Sequence, residues 1–135
     1  MLPTGQIDDV PMSLVQDLDD PALSIGSIRQ WARDVVSDLD ADALEDVVLV
    51  VNELVSNAFD HGLAPRHLKL HRSVDPCSVR VEVDDASPDA PVLGRSRLND
   101  DRGRGLVIVD SLATDWGIEY QTGSKTVWAE INCAL

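Results

Sequence analysis

A two-layer α/β sandwich, with helices collected on one face of a mixed, mostly antiparallel sheet, is the fold class this sequence predicts. Three observations predict it. Two consecutive segments repeat apolar residues at three- and four-residue steps, as amphipathic helices do. Two pairs of strand-like runs are each joined by a short turn, which makes hairpins and not the crossovers of a doubly wound sheet. The 135 residues, free of internal repeats and low-complexity tracts, are the size of one domain, so a single core has to serve every element.

The elements follow in order. After a turn at Asp19-Asp20-Pro21, the residues Ile25, Ile28, Trp31, Ala32, Val35 and Leu39 mark the first helix. Asp40 or Asp42 can cap a second, whose stripe of Leu44, Val47, Val48, Val51, Leu54, Val55, Ala58 and Phe59 ends at His61-Gly62. Glycine there suits the left-handed position that closes a helix. Residues 68–74 and 79–84 form a hairpin across Asp75-Pro76, with Val79, Val81 and Val83 alternating with Arg80 and Glu82. Residues 86–102 have few apolar side chains and no periodicity, and read as a long loop of the kind that is usually functional or disordered. A short glycine-led helix is expected over 103–112. Strands at 116–121 and 126–132 close the chain around Thr122-Gly123-Ser124. Residues 1–12 carry no pattern and are read as a disordered stretch of this one domain, 1–135.

Composition excludes several classes. A net charge of −13 argues against nucleic acid as the main partner, because a phosphate backbone needs a dense basic face. Residues 1–60 carry 2 basic and 13 acidic side chains, and residues 61–135 carry 9 and 11, so the excess is N-terminal. Residues 88–105 are locally positive, with Arg95, Arg97, Arg102 and Arg104 against Asp89, Asp100 and Asp101, and suit either a solvated loop or a small anion. The apolar runs 47–51 and 106–109 are too short to span a bilayer, and no basic region precedes an apolar one near the N-terminus. Cytoplasmic residence is therefore expected. Cys77 and Cys133, without metal-ligand company, are expected to be inert thiols in a reducing compartment.

A few residues carry chemistry. Glu53 and Asn57 are one helical turn apart, on one face at the edge of the apolar stripe, and can share a ligand. A carboxylate and an amide oxygen are hard ligands of the kind that serve Mg²⁺ and its waters beside a nucleotide. Asp85 shares the inward face of Val79, Val81 and Val83, whereas Asp84 points away. A carboxylate there accepts from an exocyclic amine, so Asp85 is expected to favour adenine clearly over guanine, whose carbonyl oxygen it would repel. Gly103-Arg104-Gly105-Leu106 opens a helix and lets backbone N–H groups approach an anion.

In this order the segments resemble one family. Glu53-Leu54-Val55-Ser56-Asn57-Ala58-Phe59-Asp60-His61-Gly62 looks like the N-box of the GHKL ATPases and kinases. Asp85-Ala86-Ser87-Pro88 stands where their adenine-binding aspartate lies, Gly103-Arg104-Gly105-Leu106 matches the second glycine box, and Gly123-Ser124-Lys125-Thr126-Val127-Trp128 resembles the final Gly-x-x-Thr-x-aromatic strand. The likeness covers roughly residues 10–135 and is nearest to the anti-sigma-factor serine/threonine protein kinases. The chain departs from the wider superfamily at the first glycine box, where Ala86-Ser87-Pro88-Asp89 follows Asp85 and both glycines are absent.

The resemblance implies a Bergerat-type ATP-binding fold with Mg²⁺ and ATP between the helix layer and a lid at 86–102. It implies Glu53 as catalytic base, Asn57 on Mg²⁺, Asp85 on adenine with Thr126 beside it, and Gly103, Arg104, Gly105 and Leu106 at the phosphates. His61 either supports the phosphates or simply closes the helix. The implied partners are a sigma factor and an anti-anti-sigma protein of STAS type, with a homodimer within the family's range and no contact with DNA or membrane. Three functions compete: a regulatory kinase that phosphorylates the antagonist, a nucleotide-gated module that sequesters a partner without catalysis, and an acidic interaction domain with a degenerate pocket.

Overall fold

The structure, a computed structural model, describes residues 12–87 and 101–133, and for 101–105 the backbone alone. Residues 1–11 of the stretch expected to be disordered and residues 88–100 of the lid expected at 86–102 therefore lie outside the described residues, whereas Met12 is ordered in a strand. The element order is β1 (Met12–Asp17), α1 (Ile25–Val35), α2 (Ala41–His61), β2 (His67–Ser73), β3 (Ser78–Asp85), α3 (Asp101–Leu112), β4 (Asp115–Gln121) and β5 (Ser124–Asn132). The five strands make one sheet in the order β1-β2-β3-β5-β4. All four pairings are antiparallel, so no parallel pairing of the expected mixed sheet occurs among the described residues.

Local chemistry fixes the helix ends. Ser24 caps α1 in a reciprocal box: its Oγ accepts from the Ser27 backbone N–H at 3.1 Å while Ser27 Oγ accepts from the Ser24 N–H at 2.8 Å. Asp40, not Asp42, caps α2, accepting from the Ala43 N–H at 2.7 Å. Gly62 closes α2 with an extended backbone, φ −92° and ψ 174°, so the left-handed conformation expected of it is not adopted. Gly123 does need its freedom: with φ at 75° it turns β4 into β5.

One core lies between the layers. Val47, Val50, Val51, Leu54 and Val55 of α2 bury against Leu68 and Leu70 of β2, Val79, Val81 and Val83 of β3, and Ala129 and Ile131 of β5. Each such valine or leucine contributes about 1.5–3 kcal/mol on burial, which makes α2 the element that holds the layers together. Ile28, Ala32 and Val36 extend that core beside α1, and Val109 anchors α3.

Two features depart from expectation. The strand β1 forms where no strand is predicted, as an edge strand paired from Met12↔Arg72 to Asp17↔His67. Cys77 and Cys133 are joined in a disulfide, with Cα atoms 5.1 Å apart across 56 residues, so the inert free thiols are corrected. The antiparallel register that pairs Ser78 with Asn132 sets the two cysteines opposite each other, and the Cys133 N–H donates to the Cys77 carbonyl at 3.0 Å. Expectation of a reducing compartment rested on those thiols and loses that support. No described helix is long and apolar enough to cross a membrane.

The edge of the α1 layer is tied to the sheet by charge. Buried Arg72 donates to both oxygens of Asp38, at 2.7 and 2.8 Å, in a bidentate pair. Those hydrogen bonds hold the Asp38 carboxyl below its ordinary range, and the nearby guanidinium charge acts in the same direction. A depressed folded value means that this stabilisation is complete above the unfolded value near pH 4 and fades as pH falls through the folded value. Replacing Asp38 with Asn should cost about 1 kcal/mol at pH 7, after allowing for solvent screening of the exposed carboxylate. Denaturant unfolding of both proteins from pH 7 to pH 2 should show that difference narrowing below about pH 4.

Candidate functional site

The C-terminal half of α2 and the inner ends of β3 and β5 meet at a pocket, with α3 along its side. Asn57 and His61 reach it from α2, Asp85 from β3, Ile118 from β4, Lys125 and Val127 from β5, and Leu106 from α3. Period two accounts for the strand side chains. Asp85 follows Val79, Val81 and Val83 on the inward face and is 3% exposed, while Lys125 precedes Val127, Ala129 and Ile131 on theirs and is 6% exposed.

The carboxylate of Asp85 is held on two sides. The Ser87 backbone N–H donates to Oδ1 at 2.7 Å, which fixes the carboxylate in a local turn just where the two glycines of the wider pattern are missing. Lys125 Nζ lies 3.6 Å from Oδ2. Gly62 packs on the carbon side: a Cβ there would stand 2.8 Å from Asp85 Cγ and 2.7 Å from the Ala58 carbonyl oxygen, closer than real Cβ atoms come. Glycine at this position is thus a requirement of space, set by the crossing of the α2 end over β3.

His61 adds an unsatisfied group. It is half-buried, and its Nε2 is shielded from solvent without a hydrogen-bond partner. A buried polar atom left so costs about 1–3 kcal/mol, which a ligand or water in the pocket would recover. Asn57 and Glu53 are both half-buried; Asn57 lines the pocket, and Glu53 lies one turn before it.

The remaining expected residues divide. The helix α3 begins at Asp101, so Gly103 and Gly105 fall within its first turns, with Gly103 among the four N–H groups that lack an intrahelical acceptor. The side chains of 101–105, Arg104 included, lie outside the described residues. Thr126 is not brought to the pocket. It stands on the helix-free face, where its hydroxyl donates to Asp84 Oδ1 at 2.6 Å and Lys69 Nζ lies 3.1 Å from Asp84 Oδ2. The register Asp84↔Thr126 and Asp85↔Lys125 is the reason, since it sends each pair to opposite faces of the sheet. Lys125 therefore occupies the place beside Asp85 that the resemblance gives to Thr126. The signal for it was present, because the alternation of Val127, Ala129 and Ile131 extends back to Lys125.

Comparison with known proteins agrees with this fold. The chain matches the solved RsbU and RsbW domains of Rv1364c from Mycobacterium tuberculosis at 20% identity and a TM-score of 0.65, over 92% of its own length and 32% of that chain. It matches the histidine kinase domain of the Erythrobacter litoralis EL346 blue-light activated histidine kinase at 18% identity and a TM-score of 0.52, over 81% of its length and 59% of that chain. The chain thus spans about a third of the first structure and three-fifths of the second, and at these identities the likeness is one of fold. No curated protein matches it. The family model of the histidine kinase-like ATPase domain matches residues 19–131, nearly the whole described chain, and the protein belongs to that family.

Proposed function

We propose that the pocket binds Mg-ATP and that the protein is a regulatory serine/threonine kinase acting as an anti-sigma factor on an anti-anti-sigma antagonist. The observation that carries this reading is the convergence of Asn57 and His61 from one helix with buried Asp85 from the central sheet, in a chain of an ATPase family. Its motif likeness to anti-sigma-factor kinases and its fold likeness to a structure containing an RsbW domain support the finer part.

The residues present fit the ligand. Asp85 offers a carboxylate oxygen to the base, Asn57 offers an amide oxygen to the metal, and the orphaned Nε2 of His61 offers a contact to a phosphate oxygen or water. Bound Mg²⁺ would neutralise phosphate charge, as it does in other phosphoryl transfers. Glu53, one turn from Asn57, would orient and deprotonate the attacking hydroxyl. Retention of that carboxylate favours a kinase over a module that only sequesters its partner.

Thermal unfolding with Mg-ATP tests the pocket. Saturating nucleotide should raise the midpoint of the wild type, Asp85→Asn should lose about tenfold or more in affinity as its acceptor becomes ambiguous, and Asp84→Asn should change little. Equal weakening by both substitutions would remove the assignment of Asp85 to the base.

A further inference from the structure

Lys125 follows Ser124 at the start of β5, and the strand alternation turns it into the pocket, where it is buried. Lysine is seldom buried this deeply unless paired, and here Nζ lies 3.6 Å from Oδ2 of buried Asp85. Each part of that carboxylate is thus engaged. The Ser87 N–H holds Oδ1, the ammonium faces Oδ2, and Gly62 packs against the carbons. The cavity left between these side chains is about 30 Å³, room for a water or two and not for a purine ring. A base therefore cannot reach Asp85 while Lys125 stays where it is.

We propose that Lys125 is a built-in competitor for the base subsite: its stem and ammonium hold the place beside Asp85, and nucleotide binds only as Lys125 swings out to solvent. This rests on the reading of the pocket as a nucleotide site. Space decides between displacement and a direct contact, because a lysine that stayed to donate to the base would still fill the volume the ring needs. The way out is short. Tyr120, its cross-strand partner, is 48% exposed, so water is within reach of a flexible four-carbon stem. In water the ammonium regains its hydration, whereas an ammonium kept inside while a base took Asp85 would be a buried charge stripped of its partner. Asp85 in turn exchanges an ammonium for an amine donor. The competition weakens apparent affinity by the fraction of molecules with Lys125 withdrawn, so a lysine seated about nine-tenths of the time costs about tenfold.

The chain has two lysines, Lys69 and Lys125, which allows the movement to be read directly. Wild-type protein would be acylated with an amine-reactive ester, with and without saturating Mg-ATP, and its peptides followed by mass spectrometry. Lys69, paired with Asp84 on the opposite face of the sheet, is the internal reference. Nucleotide should raise the labelling rate of Lys125 relative to Lys69 by about tenfold, as the withdrawn form becomes the dominant one. An unchanged or lower rate would mean that the lysine stays, and would overturn the inference.

Calorimetry supplies a second arm. Lys125→Thr, short and suited to a strand, should unfold at a lower temperature without ligand, because Asp85 loses its partner, yet bind Mg-ATP about tenfold tighter. Lys125→Arg, which keeps the charge and the length, should bind no tighter than the wild type. A lysine with a purely structural role would change stability and leave affinity alone, and one that touches nucleotide would lose affinity on substitution; either result overturns the inference while the nucleotide site stands. Binding by Lys125→Thr alone would support both, and failure of all three proteins to bind would remove the site itself. Should Lys125→Thr not fold, the labelling of the wild type decides.

Discussion

Glu53→Gln is expected to leave Mg-ATP binding intact while phosphate transfer to a serine or threonine of the antagonist falls by about 10²–10⁴-fold, the usual loss when a general base is removed. Glutamine keeps the size and the hydrogen bonding of the side chain and abolishes only its ability to take a proton. Because Glu53 lies one helical turn before the pocket-lining Asn57, the substitution should not disturb base or phosphate contacts. Asn57→Ala separates the two jobs: loss of the proposed metal ligand should weaken Mg-ATP itself and with it every nucleotide-dependent activity. Titrating nucleotide and following transfer in both variants checks the division. Unchanged transfer in Glu53→Gln would show that the carboxylate is not the base, and a wild type that binds Mg-ATP yet phosphorylates no antagonist would favour the gated module.

Much of this arrangement was legible because it rests on short-range periodicity. The α2 stripe announces a buried helix, and the valines of β3 fix which of two adjacent aspartates turns inward. What escaped depends on contacts between distant segments. The strand β1 is six largely exposed residues whose conformation is stabilised by pairing with β2, and no local pattern in Met12–Asp17 demands it. The disulfide depends on the β3–β5 register, which two cysteines 56 residues apart do not reveal. Lys125 was hidden for a different reason: a lysine in a turn-proximal position reads as solvated, and the motif directs attention to the threonine beside it. Only the strand alternation, carried one residue further back, sets it in the pocket.

Gly62→Ala should damage both the fold and the pocket, because the space for a side chain is occupied from two directions. The backbone at Gly62 is ordinary for any residue, so the cost is steric and not conformational. One obstruction is the Ala58 carbonyl oxygen, 2.7 Å from the added Cβ, which already accepts the helix-closing bond from the Gly62 N–H at 2.9 Å. The other is Asp85, whose Cβ and Cγ would be 2.9 and 2.8 Å away. Neither yields cheaply: backing off the carbonyl breaks the end of α2, where His61 enters the pocket, and displacing Asp85 disturbs its bond from the Ser87 N–H and its approach to Lys125. Overpacking of this kind costs about 1–3 kcal/mol, and nucleotide affinity should fall about tenfold or more once the carboxylate is moved. Gly26→Ala is the matched control. Its Cβ would meet nothing closer than Ser24 Oγ at 3.7 Å, so it should leave binding unchanged and hold or raise stability, since alanine is the better helix former. Denaturant unfolding and nucleotide titration of the two variants would read both effects; a Gly62→Ala protein as stable and as tight-binding as wild type would mean that α2 and β3 do not approach as closely as this pocket requires.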